Sequence, residues 1–114
     1  MSFAIPFDLT TIEAEEGAPA PDRIISGNPR FRTWNLDERE GGLYAGIWEA
    51  TPGKWQIVYD EWEYFSILEG YSIVTEEGGA AIHLKPGDRL ILTPGFKGTW
   101  EVIETTRKDY VIRL

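Results

Sequence analysis

From Phe31 onward, almost every run of strand-forming residues is cut off by Gly or Pro within about ten positions. That punctuation constrains the fold more than any other feature of the chain. Gly42–Ala50, rich in aromatic and aliphatic residues, stops at Thr51-Pro52-Gly53. Lys54–Tyr59 and Tyr64–Leu68 follow, the second ending at Glu69-Gly70. Tyr71–Thr75 alternates and runs into Glu76-Glu77-Gly78-Gly79, a hairpin signal. Ala80–Leu84, Arg89–Leu92, Thr99–Glu104 and Tyr110–Leu114 are separated by Lys85-Pro86-Gly87-Asp88, by Thr93-Pro94-Gly95 and by the charged stretch 105–109. No long segment carries the 3.6-residue helical period. About eight short strands with such turns predict an all-β sandwich or barrel. Rolling the sheet hides strand edges that would otherwise pair with other chains, and it leaves a concave interior.

Residues 1–30 read differently. Glu13, Glu15, Glu16, Gly17, Pro19, Pro21 and Asp22 make a polar stretch rich in chain breakers, and the expectation is an extended arm ahead of a barrel spanning 31–114. Within the arm, Thr10-Thr11-Ile12-Glu13 suggests one helical turn, capped by Thr10 with Glu13 reaching back.

The chain has 114 residues, enough for one domain with its own core. It contains no cysteine, so disulfides, thiolate metal sites and thiol catalysis are excluded. Nothing approaches the length of a membrane span, and Met1-Ser2-Phe3-Ala4-Ile5 lacks the basic start of a signal peptide; the expected location is the cytoplasm. Nineteen acidic against 11 basic side chains give a net charge of −8, which repels phosphate backbones and argues against nucleic acid as a partner. The acidity itself is read as a solubility feature.

Two segments, Glu63 with Gly70 and the run Gly87–Gly95, resemble the paired motifs of the cupin superfamily. Glu63 lies seven residues before Gly70, as the glutamate of the first motif precedes its closing glycine. Gly87-Asp88-Arg89-Leu90-Ile91-Leu92-Thr93-Pro94-Gly95 resembles the second motif, and the 16 residues between Gly70 and Gly87 suit the strands that separate the two. The resemblance covers residues 40–114. Within the cupins, Gly46-Ile47-Trp48-Glu49, Pro94-Gly95-Phe96-Lys97-Gly98-Thr99-Trp100-Glu101 and Arg107-Lys108-Asp109-Tyr110 are similar to the small single-domain ureidoglycine-aminohydrolase-type family. The resemblance implies a double-stranded β-helix (jelly-roll) barrel. It does not carry an activity, because ureidoglycine chemistry belongs to larger two-cupin relatives.

Metal-dependent cupins hold a divalent ion with three His and one Glu. Here the first-motif histidine slots fall at Gln56 and Val58, or at Ile57 and Tyr59 with a spacer one residue shorter, and the second-motif slot falls at Gly98. Only Glu63 survives of the four ligands. The sole histidine, His83, lies between Ile82 and Leu84, whose apolar side chains should face the core and turn it outward. The expectation is therefore no metal and no cofactor.

Alternation from Glu63 places Phe65 and Ile67 on its face, with Tyr64, Ser66 and Leu68 on the other. Trp100 and Val102 share a face with Gly98, which would leave space where an imidazole stands in relatives. The resemblance turns Lys108 and Tyr110 inward. These residues predict an aromatic cup of Trp48, Trp55, Tyr59, Phe65, Trp100 and Tyr110, with Glu63 and Lys108 as its polar points. Glu63 can be half of a salt bridge with Lys108 or Arg107, or an acid or base with Lys108 or Tyr59 as electrostatic partner. Three roles follow: a metal-independent cupin binding a small organic molecule, an isomerase or lyase using Glu63, or a non-catalytic interaction subunit. A homodimer is the expected assembly in each case.

Overall fold

The computed structural model describes residues 2–114. Among them nine strands run β1 (Glu15–Gly17), β2 (Ile24–Gly27), β3 (Phe31–Arg39), β4 (Leu43–Ala50), β5 (Gly53–Val58), β6 (Trp62–Glu76), β7 (Ala81–Leu84), β8 (Arg89–Leu92) and β9 (Lys97–Arg113). All pairings are antiparallel. The only helical pieces among the described residues are two 3-10 turns, Leu9–Thr11 and Pro21–Arg23. None is long and apolar enough to cross a membrane.

The architecture follows from two long strands. β6 and β9 pair along their whole length, and each serves two sheets. One sheet runs β1-β3-β4-β9-β6-β8, through the C-terminal half of β9 and the N-terminal half of β6. The other runs β2-β5-β9-β6-β7 through the opposite halves. The pair bends where its register slips, between Ile67 and Ser72. At that bend Gly70 has φ +90°, and a Cβ there would lie 2.1 Å from the Thr105 carbonyl oxygen. Only glycine fits so close a crossing at a left-handed φ. The sequence reading ended one strand at Glu69-Gly70 and split β9 in the same way. In the structure both run on as bent strands that turn the corner of the roll.

The two sheets enclose the apolar core. Phe65, Ile67, Val74 and Leu84 are essentially inaccessible, with Trp100, Val102 and Leu92 beside them. The alternation read from Glu63 holds: Glu63, Phe65 and Ile67 are buried while Leu68 is exposed. His83 is exposed and stacks on Tyr71, whose hydroxyl meets its Nδ1. Its neighbour Ile82 departs from expectation, being 40% exposed, because β7 is an edge strand paired with β6 alone.

The arm is woven into the barrel. β1 adds to the edge at β3 and β2 adds to the edge at β5, so residues 18–23 carry the chain from one sheet to the other. The first 3-10 turn is capped by Asp8, whose Oδ1 accepts from the Thr10 amide at 3.0 Å. Thr10 sits inside the turn; the cap lies two residues earlier than expected, where a carboxylate reaches the free amide better than a hydroxyl does.

Candidate functional site

Between the sheets, beside the strap formed by the arm, lies a cavity of about 710 Å³, within the range of about 300–1,000 Å³ usual for small-molecule sites. Its floor is an ion pair. Lys108 Nζ lies 2.9 Å from Glu63 Oε2, and the two side chains are 6% and 1% exposed. Glu63 Oε1 accepts a hydrogen bond from the Tyr59 hydroxyl at 2.5 Å. Both carboxylate oxygens are thus engaged, which burial of a charge requires. Arg107, the other partner weighed for Glu63, points out of the barrel and binds Glu49.

Around the floor the chain packs aromatic rings. The Lys108 ammonium lies 4.5 Å from the Trp48 and Phe65 ring centroids and 4.6 Å from that of Trp100, within cation–π range. Trp100 is pinned by a buried relay: its indole N–H donates to Ser72 Oγ at 3.1 Å, and Ser72 meets Thr106 Oγ1 at 2.6 Å. Trp55 stacks 13° from parallel to Trp100, and Trp48 meets Trp100 edge-on. Of the residues expected in the cup, Trp48, Trp55, Tyr59, Trp100, Tyr110, Glu63 and Lys108 line the cavity. Phe65 does not: fully buried, it supports the ammonium from beneath.

Tyr110 reaches across β4 to donate to Asn35 Oδ1 at 3.1 Å. Gly46 makes this possible. A Cβ there would lie 2.9 Å from the Tyr110 hydroxyl and 2.0 Å from the Trp34 carbonyl oxygen. Burial, followed by the charges of Glu63 and Glu15, pushes the Tyr110 phenol up to about 12. Burial pushes Tyr59 well up too, reinforced by the charge of Glu63 and the hydrogen bond to it.

Several wall residues escaped the sequence reading. Phe31, Thr33 and Asn35 present one face of β3 to the cavity. A bulge between Asn35 and Asp37 then resets the alternation, so that Glu38 faces inward opposite Tyr44. The alternation of Phe31, Thr33 and Asn35 was visible in the sequence; the bulge left no signal. From the arm come Ile12, Glu13 and Glu15.

The residues do not fit the transition-metal site of metal-dependent cupins. Ile57 and Tyr59 line the cavity, whereas Gln56 and Val58 are exposed outside it; the shorter spacer is the correct register. An ammonium already stands against Glu63. No three His, Cys, Asp or Glu side chains are grouped to hold an ion among the described residues. Gly98 leaves no vacancy, contrary to expectation: a Cβ there would lie 2.0 Å from the Thr75 carbonyl oxygen. It is a point of close backbone approach between β9 and β6.

A family model described as an EutQ-like cupin domain matches residues 37–110. Among solved structures, a protein of unknown function from Pseudomonas syringae pv. tomato str. DC3000 is similar at 25% identity and a TM-score of 0.80, over 87% of this chain and 43% of that one. This chain therefore spans less than half the length of that relative. The EutQ protein of Clostridium difficile is similar at 18% identity and 0.68, over 99% and 88%. Ectoine synthase from P. lautus is similar at 20% and 0.64, over 81% and 68%. The last two show the fold alone. No curated protein matches the chain.

Proposed function

Because this chain belongs to the EutQ-like cupin domain family, we propose that its barrel is a binding chamber for one small organic molecule, held without a transition metal. The observation that carries the reading is the cavity itself. It has aromatic walls, and at its floor a lysine takes up the glutamate that metal-dependent cupins give to an ion. Within the cupins, the segments Pro94–Glu101 and Arg107–Tyr110 support a reading as one of the small ureidoglycine-aminohydrolase-type domains. A thermal-shift screen of small amines, alcohols, carboxylates and sugars tests the reading. At least one class should raise the midpoint, and elemental analysis of the purified protein should find no stoichiometric iron, manganese, nickel or zinc. A screen in which nothing moves the midpoint, or a metal bound at Glu63, would overturn it.

Enzymatic acid–base work has one observation in its favour, the hydrogen-bonded run Tyr59–Glu63–Lys108, along which a proton can be passed. Under this reading Glu63→Gln abolishes turnover of a bound compound at a temperature where circular dichroism shows the variant still folded. An unchanged rate would rule it out.

For assembly we propose a homodimer through the outer face of the larger sheet. Ala45, Val111, Tyr64 and Ile91 stand in one cross-strand row, and Ile91 is 52% exposed. Arg113 and Asp109 flank Val111 along β9, so a two-fold copy can set basic against acidic. Light scattering should give twice the chain mass, and Ile91→Glu should give monomer. A wild-type monomer at working concentration would refute the assembly.

A further inference from the structure

We infer that the chamber selects a small organic cation, a primary or quaternary ammonium compound, whose charge sits at the acidic mouth and whose carbon body lies against the indoles. The inference rests on the binding-chamber reading and narrows it to one ligand class.

Charge is the first ground. The lining carries four carboxylates, Glu13, Glu15, Glu38 and Glu63, to one ammonium, Lys108, whereas the chain as a whole carries 19 acidic to 11 basic side chains. The cavity is thus more acidic than the general excess accounts for. At the floor Glu63 and Lys108 compensate each other. Glu13, Glu15 and Glu38 have no ion-pair partner among the described residues. They arrive by independent routes, two on the strap and one past the β3 bulge, and meet at one opening.

The walls supply the second ground. Trp48, Trp55 and Tyr44 line the cavity, and the electron density of aromatic rings attracts cations. The chamber already holds one ammonium this way, since Lys108 is in range of three rings. The cavity tyrosines register the same field: the charge of Glu38 contributes to raising Tyr44 after their hydrogen bond, and Glu15 contributes at Tyr110 after burial and Glu63. An anion would meet three uncompensated carboxylates on entry, and the only lysine within is already paired.

The test is a tryptophan-fluorescence titration of the whole chain with three compounds of one shape and different charge: choline, its uncharged isostere 3,3-dimethyl-1-butanol, and 3,3-dimethylbutanoate. Choline should bind at least about tenfold more tightly than the alcohol, and the carboxylate most weakly. Added salt should shrink the advantage, because the mouth is exposed. The variant Glu13→Gln/Glu15→Gln/Glu38→Gln, all surface positions, should keep the alcohol's affinity and lose most of choline's excess. Equal or tighter binding of the alcohol or the carboxylate would overturn the cation inference and leave the chamber standing. Failure of choline to bind at millimolar concentration would likewise overturn the cation inference, while the chamber itself stands or falls on the thermal-shift screen.

Discussion

The Lys108 ammonium stands 2.9 Å from Oε2 of Glu63, although Lys108 is in register with Ile67 and not with Glu63. The side chain runs along the floor past the Phe65 ring to reach a carboxylate two inward positions away. The pair lies inside the barrel, where neither charge is stable alone.

Removing one member should therefore cost more than removing both. Lys108→Met leaves Glu63 buried beside apolar rings and should destabilise the domain by about 3–5 kcal/mol. Adding Glu63→Gln, which keeps an acceptor for Tyr59, should recover much of that loss. Urea denaturation of the single and double variants checks this. A single variant costing under about 1 kcal/mol would mean that the pair is solvated.

Gly46→Ala should be costly despite the small change. Its Cβ would enter the Trp34 carbonyl and crowd the Tyr110 hydroxyl, and overpacking of this kind costs about 1–3 kcal/mol or more. Tyr110→Phe, which only removes the bond to Asn35, should cost about 1 kcal/mol. The order of the two midpoints is the readout.

At high pH the tyrosines limit stability. With Tyr110 raised to about 12 in the fold from an ordinary value of 10.0, the folded state keeps a proton that the unfolded chain releases. The associated stability is complete below pH 10.0 and is lost as pH rises through about 12. Tyr59 adds to the loss in the same direction. Spectrophotometric titration should show these phenols ionising last, and Tyr110→Phe should flatten the alkaline fall of the denaturation midpoint.

The acid side depends on the outer face. Burial alone would raise Glu49, but hydrogen bonds from Arg32 at 2.8 Å and Arg107 at 2.8 Å outweigh it and hold its carboxyl below the usual range. The two guanidinium groups also cover Trp34, each 5.0 Å from its ring. A depressed carboxyl contributes stability above its unfolded value and loses it as pH falls through the folded one. Glu49→Gln should therefore lower the midpoint at neutral pH and make it less sensitive to acid below the carboxylate range.

Local chemistry was legible in the sequence wherever alternation ran unbroken. Glu63, Phe65 and Ile67 on one face, and Trp100 and Val102 on another, could be read directly because a strand repeats every two residues. Lys108 and Tyr110 needed the motif resemblance. What stayed hidden came from interruptions and long-range pairing. The Gly70 bend was mistaken for a strand end because a turn and a tight crossing both call for glycine. Gly98 looked like a vacancy because the Thr75 backbone that fills it lies over 20 residues away. Glu13, Glu15 and Glu38 could not be assigned to the mouth, since nothing local says that the arm spans the two sheets or that β3 bulges.

The most direct test uses the five tryptophans, of which Trp48, Trp55 and Trp100 line the cavity while Trp34 lies under arginines on the outer face and Trp62 is half-buried outside the lining. Indole N–H resonances should be followed by NMR as a compound that raises the thermal midpoint is titrated in. The account predicts that Trp48, Trp55 and Trp100 shift in a saturable way while Trp34 and Trp62 stay in place. Shifts confined to Trp34 and Trp62 would contradict a chamber inside the barrel.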